Sequence, residues 1–89
     1  MNLSVVMPTN TVNEKLYVAI DSTLRALKHC KVDYELILVL NSTAVFRKDD
    51  ISSIYGSEII VKTCTAVGLA PSLNMGIKTA KYEFVARMD

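Results

Sequence analysis

Two apolar, β-branched runs constrain the fold of this chain more than anything else in it: Leu3 to Met7, closed by Pro8, and Tyr34 to Leu40, reading YELILVL. Both are too apolar to keep a face for water. Strands of that kind are buried on both sides, which is the situation in a parallel sheet covered by helices on both faces. Parallel neighbours need a long crossover, and the segment between the runs supplies one. Leu16, Ile20, Thr23, Leu24 and Leu27 recur there with helical spacing, and Asn13 stands just ahead of Glu14 as a candidate N-cap. The spacing predicts an amphipathic helix of about four turns.

The second half repeats the alternation. Asp49 or Asp50 is placed to cap a short helix through Ile54 and Tyr55, Gly56 to end it, and Glu58 to Val61 to form a third strand. Pro71 and Ser72 open a further helix with Leu73, Ile77 and Ala80 on one face, and Phe84 to Met88 read as a fourth strand. Strands alternating with helices predict an α/β, Rossmann-like parallel sheet with right-handed crossovers. The whole chain, 1–89, is expected to form one unit. A unit of this size buries only about 60 to 65% of its unfolded surface. Marginal stability and self-association into a homo-oligomer are therefore expected.

Ten basic residues balance nine acidic ones for a net charge of +1, and they are scattered, so no footprint for a nucleic-acid backbone is present. Cys30 and Cys64 form no C-x-x-C pair, which argues for free thiols rather than a zinc site or disulfide framework. Met1 to Met7 lacks the basic flank and cleavage site of a signal peptide, and no apolar run approaches the ~20 residues needed to span a bilayer. A cytoplasmic location is expected.

In an open α/β sheet, ligands bind beyond the carboxyl ends of the strands. Here those positions are Pro8 to Thr11, Asn41 to Thr43, Thr63 to Gly68, and Asp89. The first turn has no glycine, so the G-x-G-x-x-G dinucleotide fingerprint is missing, and no G-x-x-x-x-G-K-[ST] phosphate loop occurs. Dehydrogenase and P-loop chemistry are thereby disfavoured.

Five segments in order, SVVMPT at 4–9, AIDSTL at 19–24, YELILV at 34–39, GLAPSLNMGI at 68–77 and AKYEFVARMD at 80–89, resemble family 2 glycosyltransferases over nearly the whole chain. The resemblance implies a partial GT-A fold: the N-terminal, nucleotide-sugar-binding half of an inverting transferase, reaching the first residue of a D-x-D motif. It implies a nucleotide-sugar donor, a glycan or lipid-linked acceptor, and a divalent metal, Mg2+ or Mn2+. A lipid-linked acceptor would place the protein at the inner face of the membrane.

Carried onto this sequence, the resemblance assigns nucleotide-sugar binding to Pro8, Thr9, Asn10, Asn41, Gly68, Leu69 and Asn74, and metal binding to Asp89. Two departures stand out. Where the family has Pro-x-Tyr-Asn, this chain has Pro8, Thr9, Asn10 and Thr11, so the stacking aromatic is replaced by Asn10, which only hydrogen-bonds. Where the family has Asp-Asp-Gly-Ser, this chain has Leu40, Asn41, Ser42 and Thr43, and both carboxylates are gone. Asn and Ser are also ordinary turn residues, so a plain strand-end turn explains Asn41 and Ser42 equally well.

For Gly76, close helix-to-sheet packing is the simpler role, and for Leu69 and Leu73 it is the core. His29 beside Lys28 suits the negative end of a helix. By resemblance no catalytic residue lies in the chain, because the general base would fall outside it. Two alternatives stay open: a sugar-phosphate nucleotidyltransferase, which normally opens with a glycine-rich loop absent here, and a degenerate, non-enzymatic nucleotide-sugar-like module.

Overall fold

The computed structural model describes residues 2 to 88. Among the described residues, strands and α-helices alternate as β1 (Asn2–Thr9), α1 (Glu14–His29), β2 (Asp33–Asn41), α2 (Lys48–Tyr55), β3 (Ile60–Cys64), α3 (Leu69–Thr79) and β4 (Phe84–Arg87), with short 3-10 helices at Ser42–Arg47 and Gly56–Glu58 on either side of α2. The strands form a single four-stranded sheet in the order β3-β2-β1-β4, and every pairing is parallel. The α/β, Rossmann-like class expected from the alternation is the class observed. β1 and β2 lie in the middle of the sheet, which is why their runs are predominantly apolar.

Register separates the two faces. Val5 and Met7 of β1 lie with Leu36, Leu38 and Leu40 of β2 beneath α1 and α2, joined by Leu16, Ile20, Leu24, Leu27, Ile51 and Tyr55. Val6, Ile37, Val39 and Cys64 face the other way and meet Leu73, Met75 and Ala80 at α3. The buried positions of α1 are the five of the helical pattern, Leu16, Ile20, Thr23, Leu24 and Leu27, and the Asn13 carboxamide oxygen accepts the Leu16 N–H at 3.1 Å as an N-cap.

The sequence boundaries shift in places, for physical reasons. β1 runs past Met7 through Pro8, because Met88 N–H donates to Val6 O at 2.9 Å and strand alternation then turns the missing N–H of Pro8 to the same side, beyond the last β4 pair. The third strand begins at Ile60 rather than Glu58, since residues Gly56–Glu58 continue α2 as a 3-10 turn. Neither Asp49 nor Asp50 caps α2; both sit inside its first turn, where a negative charge suits the helix dipole. Ile77 is not on the packed face of α3. It is 54% exposed, and Ser72 and Gly76 are buried in its place.

Gly76 is buried because α3 crosses β1 at close range. A methyl group there would overlap the Val6 side chain. No helix is long and apolar enough to cross a membrane among the described residues.

Candidate functional site

The carboxyl ends of β1 and β2, the β3–α3 loop and the first turn of α3 enclose a cleft of about 500 Å3 lined by Pro8, Thr9, Asn10, Asn41, Ser42, Val67, Gly68, Leu69 and Ser72. Each part is placed by local chemistry. Pro8 and Thr9 are the last residues of β1, and the Thr9 hydroxyl donates to Thr11 O at 2.8 Å, which turns the chain toward α1. Asn10 Oδ1 accepts from the Thr11 hydroxyl at 3.0 Å. Asn41 closes β2 and is buried, whereas Ser42 directly after it takes a left-handed φ of 55°. That conformation is uncommon for a residue with a side chain, and such backbone clusters at ligand sites.

The opposite wall is the β3–α3 loop. Gly68 precedes α3 with φ 109°, a conformation that only glycine adopts readily, and no side chain caps the helix. Val67 at the rim is 95% exposed and Leu69 is 50% exposed. The Asn41 side chain spans to this wall. Its Nδ2 donates to Ala66 O and to Ser72 Oγ, both at 2.8 Å, with Gly68 O at 3.5 Å.

No lining residue carries a charge. One wall offers amide and hydroxyl groups and the other offers Val67 and Leu69, so the cleft suits a neutral, flat, hydrogen-bonding group better than an anion. A second depression, of about 240 Å3, lies on the other side of Pro8 and Thr9, where Thr11, Asn13 and Lys15 at the start of α1 approach Met88. It sits between β1 and β4, where the strand order reverses.

Of the positions singled out in the sequence, Pro8, Thr9, Asn10, Asn41, Gly68 and Leu69 come together around the larger cleft. Asn74 does not join them; it is exposed on α3, beside the partly buried Leu73 and the buried Ser72. Asp89 lies outside the described residues, and among those residues no cluster of three His, Cys, Asp or Glu could hold a metal.

Ser42, Val67 and Ser72 are cleft residues that the sequence reading did not assign. Ser72 carried a usable signal, since a serine four residues after a helix-opening glycine can bond back to its carbonyl, and its hydroxyl does lie 3.4 Å from Gly68 O. Val67 carried none.

At the far end of the same sheet face, Glu35 is buried and accepts the Ser4 hydroxyl at 2.6 Å and the Lys81 N–H at 2.7 Å, while Ser4 Oγ accepts the Tyr82 N–H at 3.2 Å. This network fastens the α3–β4 connection and takes no part in the cleft. Among the described residues, no buried side-chain polar atom is left without a partner. No protein-family model, no curated protein and no solved structure matches this chain.

Proposed function

We propose that the chain is the donor-binding half of an inverting glycosyltransferase resembling family 2, and that the larger cleft takes the nucleoside of a nucleotide-sugar donor. The observation that supports this reading is the convergence of Pro8, Thr9, Asn10, Asn41, Gly68 and Leu69 on one uncharged cleft at the carboxyl ends of two central parallel strands. Apolar groups on one side and hydrogen-bonding groups on the other fit a base and ribose, whereas the diphosphate would extend away from a lining that has no cation. Thr9, Asn10 and Ser42 would hydrogen-bond the base or ribose, and Val67 with Leu69 would pack on its flat face.

Asp89 and the general base implied by the resemblance lie outside the described residues, so the reaction assigned to residues 2 to 88 is binding rather than transfer. Micromolar affinity requires about 8 kcal/mol, more than an uncharged cleft without an aromatic platform supplies. A dissociation constant of roughly 1 mM is expected for a nucleoside diphosphate.

Titration with uridine, guanosine and thymidine diphosphates, each with Mg2+ or Mn2+, followed by amide NMR, tests this. Saturable shifts centred on Thr9, Asn10, Gly68 and Leu69 are expected for one of the three. Shifts confined to another surface, or none at millimolar ligand, would remove the reading. A non-enzymatic module is the second reading, favoured by the commitment of the Asn41 amide to the protein itself.

A further inference from the structure

We infer that Asn41 is a positioning residue: its side-chain amide holds the β3–α3 loop in place as a wall of the cleft and acts on a bound nucleotide through that loop. The inference rests on the nucleotide reading of the cleft for its ligand, but the clamp itself rests on geometry. Nδ2 faces Ala66 O and Ser72 Oγ at 2.8 Å and Gly68 O at 3.5 Å. Backbone carbonyl oxygens only accept, so the group aimed at them must donate. The two amide hydrogens serve the two short contacts, and the Ser72 hydroxyl, 3.4 Å from Gly68 O, passes the interaction on to the residue that opens α3.

Little else anchors this wall. Residues 65 to 70 are all exposed, and outside the helices and strands no backbone–backbone hydrogen bond among the described residues ties 65 to 68 to the rest of the chain. The Cys64 thiol reaches Ala66 O only at 3.9 Å. Asn41, by contrast, is buried at the end of a central strand. The sheet therefore reaches the exposed rim through one side-chain carboxamide, and the width of the cleft depends on it.

The clamp also explains why an amide and not a carboxylate stands here. An aspartate at this position has no hydrogen for Ala66 O unless it takes a proton, and its charge would be buried facing carbonyl oxygens. Protonated, it offers one O–H to Ala66 O and one carbonyl to the Ser72 hydroxyl. Asn41→Asp therefore turns the clamp into a pH-dependent one. Burial raises the pKa of such a carboxyl, so the contact is intact below the ordinary carboxyl value of about 4 and is lost as pH rises through the raised one.

The experiment compares wild type, Asn41→Asp and Asn41→Ala as full chains, recording the amide shifts of Thr65 to Leu69 and the affinity for uridine, guanosine and thymidine diphosphates across acidic to mildly basic pH. Each variant is referred to wild type at the same pH, which cancels titration of the ligand. The expected result is that Asn41→Asp resembles wild type at acidic pH and loses both the loop shifts and about tenfold or more in affinity as pH rises. Asn41→Ala should be displaced at every pH. An Asn41→Asp chain that binds as tightly as wild type at basic pH, with unchanged loop shifts, would show direct contact instead and overturn the clamp.

If no nucleotide binds wild type, the nucleotide reading fails alone, and the loop shifts still decide the clamp by the same criterion. If Asn41→Asp does not fold, wild type decides. A slowly exchanging Asn41 side-chain amide with scalar coupling to the Ala66 carbonyl upholds the clamp, and a freely exchanging, uncoupled one removes it.

Discussion

The two faces of this sheet are built on different principles. Beneath α1 and α2, β1 and β2 present Val5, Met7, Leu36, Leu38 and Leu40, and two helices cover them with leucine and isoleucine. Beneath α3, the same strands present Ser4 and Glu35 at one end, Val6, Ile37 and Val39 in the middle, and Asn41 at the other. Only one helix covers that side, with the small Ser72 and Gly76 buried against the sheet. Apolar packing is strong but tolerant of small displacements, whereas hydrogen bonds at both ends of α3 hold it at a defined height and register. The first face supplies stability. The second fixes where the cleft wall stands.

That contrast fails most visibly if the first face is not the main source of stability. Leu38, fully buried there, should cost about 2 to 5 kcal/mol as Leu38→Ala. Urea denaturation measures it, and a loss no larger than that of the α3-side variants below would break the comparison.

On the α3 side the expected failure is one of fit. Gly76→Ala gains roughly 1 kcal/mol of helix propensity but drives a methyl group into Val6, for a net loss of about 1 to 3 kcal/mol. Adding Val6→Ala should recover part of that loss, because the two changes act on one contact. A double variant as unstable as the sum of the singles would show that close approach is not the cause.

The polar ends can be probed at the end remote from the cleft. Glu35→Gln leaves one acceptor oxygen where the Ser4 hydroxyl and Lys81 N–H now share a carboxylate oxygen, and turns an NH2 group toward the same cluster. A cost of about 1 to 2 kcal/mol is expected, with faster hydrogen exchange at Lys81 and Tyr82. Unchanged exchange at those amides would mean that the network does not anchor α3.

The smallest effect sharpens the comparison from the apolar side, through a polar contact between α1 and α2. The Tyr55 hydroxyl donates to Asp21 at 2.9 Å, and its pKa lies above the ordinary tyrosine value, first through burial and then through Asp21. Tyr55→Phe should cost about 0.5 to 1.5 kcal/mol at neutral pH. Because the folded pKa is raised, the hydroxyl contributes fully below the unfolded value of about 10 and loses its contribution as pH rises beyond it. Stability of the two proteins should therefore converge above that pH, and a constant difference would exclude the hydrogen bond as its source.

The elements of the first face were legible from residue order alone. Leu16, Ile20, Thr23, Leu24 and Leu27 repeat with the helical period and bury as a set, and the apolar runs of β1 and β2 announce strands with no wet side. Asn13 was legible as a cap for the same reason: the interaction spans three residues. In the candidate site, Pro8, Thr9, Asn10, Asn41, Gly68 and Leu69 converge because strand ends in a parallel sheet lie on one side. Asn74 stands apart from that cleft, since its neighbours in sequence turn inward while it faces water.

What sequence order could not decide is anything that links residues far apart through short side chains. The amide of Asn41 meets Ala66 and Ser72 across separations of 25 and 31 residues, and Glu35 meets Lys81 across 46. Local periodicity carries no information about such partners. By itself the sequence determined a parallel α/β sheet and which strand ends would gather, because burial patterns along one element are local and repeat with its geometry. Only the tertiary structure decided that α3 rides close on Gly76, that Ile77 stays in water, and that Asn41 spends its donors on the loop. Those outcomes depend on the height and register of one helix over two strands, which no single segment encodes.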